Sequence, residues 1–166
     1  MTSTQLLCAI GLSLSALAAG HQTSPAGALF GALRTHLADD RFDIVTSMRG
    51  LPLGVRQAVQ ALFGGHASEI ALEIADPGGK FQLTSAIGNP QLPIRRLAAA
   101  GCSIDRCLVY YERGGGTHTW QVALFHWTPA ETRFEWGATA PGGLATFADV
   151  RNAVLSGAIK GPNKVW

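Results

Sequence analysis

RRLAAAGCSIDRCLVYYERGGGTHTWQVALFHWTPAETRFEWGAT, residues 95–139, is the stretch that decides the fold. Three turn signals cut it into four apolar runs of strand length: residues 103–106, the triple glycine Gly114-Gly115-Gly116, and residues 128–132. Such runs, rich in Val, Tyr, Phe, Trp and Thr and bounded by Gly, Pro and Ser, read as antiparallel strands joined by hairpins. Setting Cys102 opposite Cys107 places Ala100 against Val109 and Ala98 against Tyr111. Setting Arg113 opposite His118 then places Tyr111 beside Trp120, Val109 beside Val122 and Cys107 beside Leu124. The last strand brings Phe134 to His126 and Trp136 to Leu124. One face of this meander collects Ala98, Ala100, Val109, Tyr111, Trp120, Val122, Leu124, Phe134 and Trp136, and an apolar sheet face needs a cover.

Helices are available to supply it. Residues 26–38 repeat Leu29, Leu33 and Leu37 at a spacing of one helical turn, and residues 55–63, behind Leu51-Pro52, put Val55, Val59 and Leu62 on one side before Gly64-Gly65. Near the C-terminus, Thr146 and Asp149 have the spacing of a capping box. Phe147, Val150 and Val154 form the apolar stripe, and Gly157 is the stop. Residues 42–48 suit either strand or helix. Residues 68–75 alternate apolar and polar. Asp76-Pro77-Gly78-Gly79 fits a type II turn, and pairing Ala75 with Lys80 makes a hairpin in which Ile74 faces Phe81 and Leu72 faces Leu83. The expectation is one α+β domain: an antiparallel meander sheet packed on one face by N-terminal helices and one C-terminal helix.

An export signal precedes this domain. Residues 6–19, LLCAIGLSLSALAA, are uncharged and apolar, about the length of a signal-peptide core and short of the roughly 20 residues a membrane span needs. Ala16, Ala18, Ala19 and Gly20 offer the small residues a signal peptidase reads. Residues 1–20 are therefore expected to be removed, leaving 21–166 as the mature domain in the periplasm or outside the cell. The leader MTSTQ lacks the usual Lys or Arg, and a buried N-terminal helix is the alternative. Cys8 would leave with the signal. Cys102 and Cys107, an even pair in an exported chain, read as a disulfide; their C-x4-C spacing and the lack of a second pair argue against zinc. No second apolar run is long enough to span a bilayer. Net charge is +2, and the ten arginines among thirteen basic residues are scattered, so nucleic-acid binding has no electrostatic support.

Chemistry-bearing motifs are sparse. His118 and His126 lie eight residues apart on one predicted strand, roughly 27 Å at about 3.4 Å per residue, too far to share a metal. His36 and His66 have no motif around them, Glu69 and Glu73 share the wet face of a strand, and Asp105 and Glu112 are isolated carboxylates. There is no G-x-S-x-G, and the triple glycine is not followed by Lys-Ser/Thr. The reading is a binding protein and not an enzyme, with no catalytic residue, metal or cofactor. Two features suit binding. Tyr110, Phe125 and Trp127 share the second sheet face with Thr119, Gln121, Glu112 and Glu135, and aromatics on a wet face mark a binding surface. Burial of that face under helices or the first hairpin is the alternative. The loop Ser103-Ile104-Asp105-Arg106 is closed by the cysteine pair. Closing so small a loop stabilises by only about 2 kcal/mol of chain entropy, but it holds a tip rigid enough to enter a partner's cleft. A staple for hairpin register is the alternative.

The order of these pieces resembles the periplasmic lysozyme inhibitors called inhibitor of vertebrate lysozyme. The matching pieces are Leu51-Pro52 with Val55, the Cys102 to Cys107 hairpin tip, the aromatic strand around Trp136, and Ala153-Val154-Leu155-Ser156-Gly157. The resemblance covers residues 42–162 and implies lysozyme or another secreted hydrolase as partner. In that family the disulfide loop enters the lysozyme cleft and presents a histidine; here Asp105 or Arg106 stands in its place. The chain also resembles small exported bacterial proteins of unknown function that carry an Ala-Asp-Pro-Gly turn, as at Ala75 to Gly78, and a Tyr-Glu-x-Gly-Gly strand end, as at Tyr111 to Gly115. The expectation is an exported binding protein of the cell envelope that inhibits a hydrolase through Ser103, Ile104, Asp105 and Arg106. The alternatives are a small-ligand or glycan-binding module built on Tyr110, Phe125 and Trp127, or a structural protein.

Overall fold

Four long strands, β3 (Arg95–Cys102), β4 (Arg106–Arg113), β5 (Thr119–Trp127) and β6 (Thr132–Ala140), form the antiparallel meander in the order β3-β4-β5-β6. They are seen in a computed structural model that describes residues 25–63, 74–85, 89–159 and 161. Ahead of them come α1 (Pro25–Asp39), β1 (Asp43–Val45), a 3-10 turn (Met48–Gly50), α2 (Leu53–Phe63) and the two-residue β2 (Ile74–Ala75), and α3 (Phe147–Ser156) follows. The free edge of β3 takes both short strands. β1 pairs antiparallel at one end, with Asp43 opposite Cys102, and β2 pairs parallel at the other, with Ile74 opposite Arg95. The fold is the expected α+β meander. Among the described residues no helix is long and apolar enough to cross a membrane. The expected signal segment, residues 1–20, lies outside the described residues.

The sheet is covered on both faces. On one, Leu33 and Leu37 of α1 and Phe147, Val150 and Val154 of α3 pack with Leu108, Tyr110, Val122, Leu124, Trp136 and Ala138. On the other, Leu51 and Val55, Val59 and Phe63 of α2 pack with Leu97, Ala100, Cys107, Val109, Tyr111, Ala123 and Phe125. The cause is visible in the chain: Leu108 to Tyr111 and Val122 to Phe125 are unbroken apolar runs, which a strand shows when neither face is wet.

Two-sided burial explains why the expected register between β4 and β5 misses by one. Arg113 pairs with Thr119 and not with His118, so Tyr110 stands opposite Val122 and Val109 opposite Ala123. One step of register turns every β5 side chain to the other face relative to β4. The longer loop is set by its docking. The Gly114 amide donates to the Ile94 carbonyl at 2.8 Å and the Gly115 amide to the Gln82 carbonyl at 3.0 Å. A Cβ on Gly114 would fall 2.0 Å from that Gln82 oxygen, so only glycine fits there. Trp136 does stand opposite Leu124, but a bulge at Glu135 brings Phe134 to Phe125 instead of His126. A matching irregularity in β3 sets Leu97, not Ala98, against Tyr111.

The hairpin expected at residues 68–87 is also corrected. The turn exists, closed by the Gly79 amide on the Asp76 carbonyl at 2.8 Å. The returning run is not a strand, however, because its backbone bonds elsewhere: the Gln82 amide donates to the Pro93 carbonyl at 2.8 Å. Ile74 therefore pairs with Arg95 and not with Phe81. Leu72, Glu69, Glu73 and His66 lie outside the described residues.

α3 follows its sequence signals. The Thr146 side chain accepts from the Asp149 amide, the Asp149 carboxylate accepts from the Thr146 amide, and Gly157 closes the helix at φ 78°. It is fastened to α1 as well as to the sheet. Arg151 donates from Nε to the Leu37 carbonyl at 2.5 Å and from Nη2 to the Ala38 carbonyl at 2.7 Å, satisfying acceptors that the end of α1 leaves over.

Candidate functional site

The tip between β3 and β4 is the most constrained loop of the described chain. Cys102 and Cys107 are joined by a disulfide across a Cα–Cα distance of 4.1 Å. Within the loop the Ser103 amide donates to the Arg106 carbonyl at 2.6 Å, and the Ser103 hydroxyl accepts from the Arg106 amide at 3.1 Å. The neighbouring strand end holds it from one side: the Trp127 amide donates to the Asp105 carbonyl at 2.8 Å and the Trp127 indole N–H to the Ser103 carbonyl at 3.3 Å. From the other side, the Ser103 hydroxyl lies 3.5 Å from the Asp40 carboxylate at the end of α1.

The charged pair expected to reach a partner is turned largely to internal use. Arg106 Nη1 donates to Asp105 Oδ2 at 2.6 Å, and its Nε lies 3.5 Å from the Glu135 carboxylate, which also faces Arg133 at 3.2 Å. The Arg106 side chain is mostly buried, with 11 % of its surface exposed, and Ser103 is buried. Ile104 is the opposite case: 91 % of it is exposed, more than any other large apolar residue described. Of the four tip residues it is the most exposed.

The aromatic surface expected on the second face does not exist. Tyr110 and Phe125 point to opposite faces, and neither has any exposed surface. Tyr110 stacks on Trp120 with centroids 5.2 Å apart and donates its hydroxyl to the Pro141 carbonyl at 2.7 Å. Phe125 packs edge-on to Phe134 beneath α2. Both errors follow from the register step and from α2 covering the face assumed to be wet. Trp127 alone of the three remains half-exposed.

Glu112, read from sequence as an isolated carboxylate, is clasped. Arg96 meets its Oε1 from Nε at 2.7 Å and from Nη2 at 2.5 Å, while His118 Nε2 lies 3.0 Å from Oε2. His118 thus belongs to the loop before β5 and not to the strand, where it packs beside Phe81 and Trp120. The fully buried Arg95 lays its guanidinium 3.7 Å over the Phe63 ring. Neither arrangement was read from the sequence. The only hint was a double arginine opening a strand otherwise made of small apolar residues. No group of three or more His, Cys, Asp or Glu side chains among the described residues is placed to hold a metal ion.

One further feature was missed. Between α2 and the β5–β6 turn runs a cleft of about 560 Å³, walled by Leu53, Gln57, Ala58 and Ala61 on the helix side and by Trp127, Thr128, Pro129, Glu131 and Thr132 on the other. It opens beside the tip, and Trp127 belongs to both. Set against family models, curated proteins and solved structures, the chain matches none.

Proposed function

We propose that this chain is an exported, non-enzymatic binding protein of the cell envelope that inhibits a secreted hydrolase with its disulfide-closed tip. The observation that carries the reading is Ile104, an isoleucine 91 % exposed in a loop whose Ser103, Asp105 and Arg106 make hydrogen bonds within the protein. An apolar side chain held out on a rigid loop loses little conformational freedom when it is buried by a partner, so most of its burial appears as affinity. A single apolar side chain held out in water suits a partner with a cleft to receive it, and hydrolases of polymers have one. The role passes from the charged pair Asp105 and Arg106 to the isoleucine that precedes them; Asp105 keeps part of its carboxylate in water.

The similarity to periplasmic lysozyme inhibitors makes lysozyme the first hydrolase to try. The test is the rate of clearing of a bacterial cell-wall suspension by lysozyme with and without the purified mature protein. Saturable inhibition at about micromolar protein, a binding energy near 8 kcal/mol, is expected. No slowing at roughly ten times that concentration rejects lysozyme as the target.

A further inference from the structure

The cleft beside the tip has a chemistry of its own. Its apolar surface comes from the half-buried Trp127 indole, Ala58, Ala61, Pro129 and Leu53, the last 61 % exposed. Its polar groups are the Gln57 amide, the Thr132 hydroxyl and the Glu131 carboxylate, so donors and acceptors are both present; the Thr128 hydroxyl is taken up within its own turn by the Ala130 and Glu131 amides and the Glu131 carbonyl. The one charge on its wall is Glu131, faced by Arg133 at 3.7 Å, which leaves nothing to attract an anion. A wholly apolar ligand would strip water from the Gln57 amide and the Glu131 carboxylate without replacing their hydrogen bonds. What suits an aromatic wall, a small apolar floor and neutral hydrogen-bonding groups is a molecule with one apolar face and a rim of hydroxyls. The volume is within the range of about 300–1,000 Å³ usual for small-ligand sites.

We propose that this cleft binds a neutral saccharide, with a sugar ring stacked on Trp127 and its hydroxyls bonded by Gln57 and Glu131. The site is separate from the tip in its occupant but joined to it in structure, since the Trp127 backbone and indole N–H groups hold the Asp105 and Ser103 carbonyls. It does not depend on the hydrolase reading.

The probes are chitotriose, cellotriose and maltotriose, titrated to about 10 mM into 15N-labelled protein while the indole N–H resonance of Trp127 is followed. At least one of the three should shift it saturably, together with the amides of Gln57 and Glu131. Ala61→Phe, at an exposed helix position on the cleft wall, should weaken that binding at least about tenfold while the melting temperature stays unchanged, and Gln57→Ala should weaken it in the same direction. Ile104→Asp should leave it as in the wild type, which separates this site from the tip. The proposal is overturned if none of the three sugars moves the Trp127 resonance, if Ala61→Phe and Gln57→Ala bind as the wild type does, or if Ile104→Asp abolishes the shift.

Discussion

Ile104 and Tyr110 are both large side chains on one hairpin, and their surroundings give them opposite uses. Ile104 stands in water at the apex, so removing it costs the fold nothing, whereas burying it against a partner is worth about 1.5–3 kcal/mol. Ile104→Asp should therefore weaken inhibition roughly 10- to 100-fold with no loss of thermal stability, and a binding isotherm beside a melting curve checks both halves. Tyr110 is closed off from water. Burial pushes its phenol up to about 12, the Glu112 charge adds to this, and a backbone hydrogen bond at Leu144 opposes it. Because the folded value lies above the ordinary 10, the neutral form is the one the fold favours. The protein's stability from this group is fully present below pH 10 and is lost as the pH rises toward 12, by roughly 2–3 kcal/mol at most. Tyr110→Phe should flatten that alkaline fall in denaturant midpoints measured from pH 9 to 12. It should also lower stability at pH 7 by about 1 kcal/mol, because the Pro141 carbonyl loses its donor.

At the scale of elements, α3 was fully legible in the chain because its signals are local. Thr146, Asp149 and Gly157 act on neighbours within one turn, and their roles do not depend on what the helix packs against. Thr146→Ala should cost about 1 kcal/mol and lower the melting temperature by a few degrees. Where α3 meets the sheet, the Phe147 ring lies on Gly101, and a Cβ there would come within 2.7 Å of two ring atoms. Gly101→Ala should therefore cost about 1–3 kcal/mol by forcing the helix outward, with chemical denaturation as the measurement. The tip was legible for the same reason as α3: two cysteines with four residues between them define their own hairpin. The β4–β5 register was not, because the loop that sets it is held by Gln82 and Ile94, residues remote in sequence. Once the register slipped, Tyr110 and Phe125 were assigned to a surface, although the unbroken run from Val122 to Phe125 carried the warning that both faces are dry. The cleft at Trp127 needed the crossing of α2 over the β5–β6 turn, where a Cβ on Gly54 would meet the Thr132 hydroxyl at 2.2 Å, and no local pattern announces that contact.

At the scale of the whole molecule, a meander sheet is packed between α2 on one side and α1 with α3 on the other, and the β3–β4 tip at one end of it exposes Ile104. The disulfide at its base suits an oxidising compartment. Mass spectrometry of the exported protein should find a chain beginning at Ala19 or His21, lighter by two hydrogens than its reduced form; an intact N-terminus with both thiols open to alkylation contradicts export. On this reading, a tip held rigid by this framework does the binding. It is tested most directly by the inhibition constant of the Cys102→Ala/Cys107→Ala double variant against lysozyme, measured beside the wild type after near-UV circular dichroism has shown that the core is retained. Losing a six-residue loop closure should remove about 2 kcal/mol of stability and leave the domain folded. This folded variant should inhibit at least about tenfold more weakly than the wild type. Equal inhibition by the two proteins would contradict it.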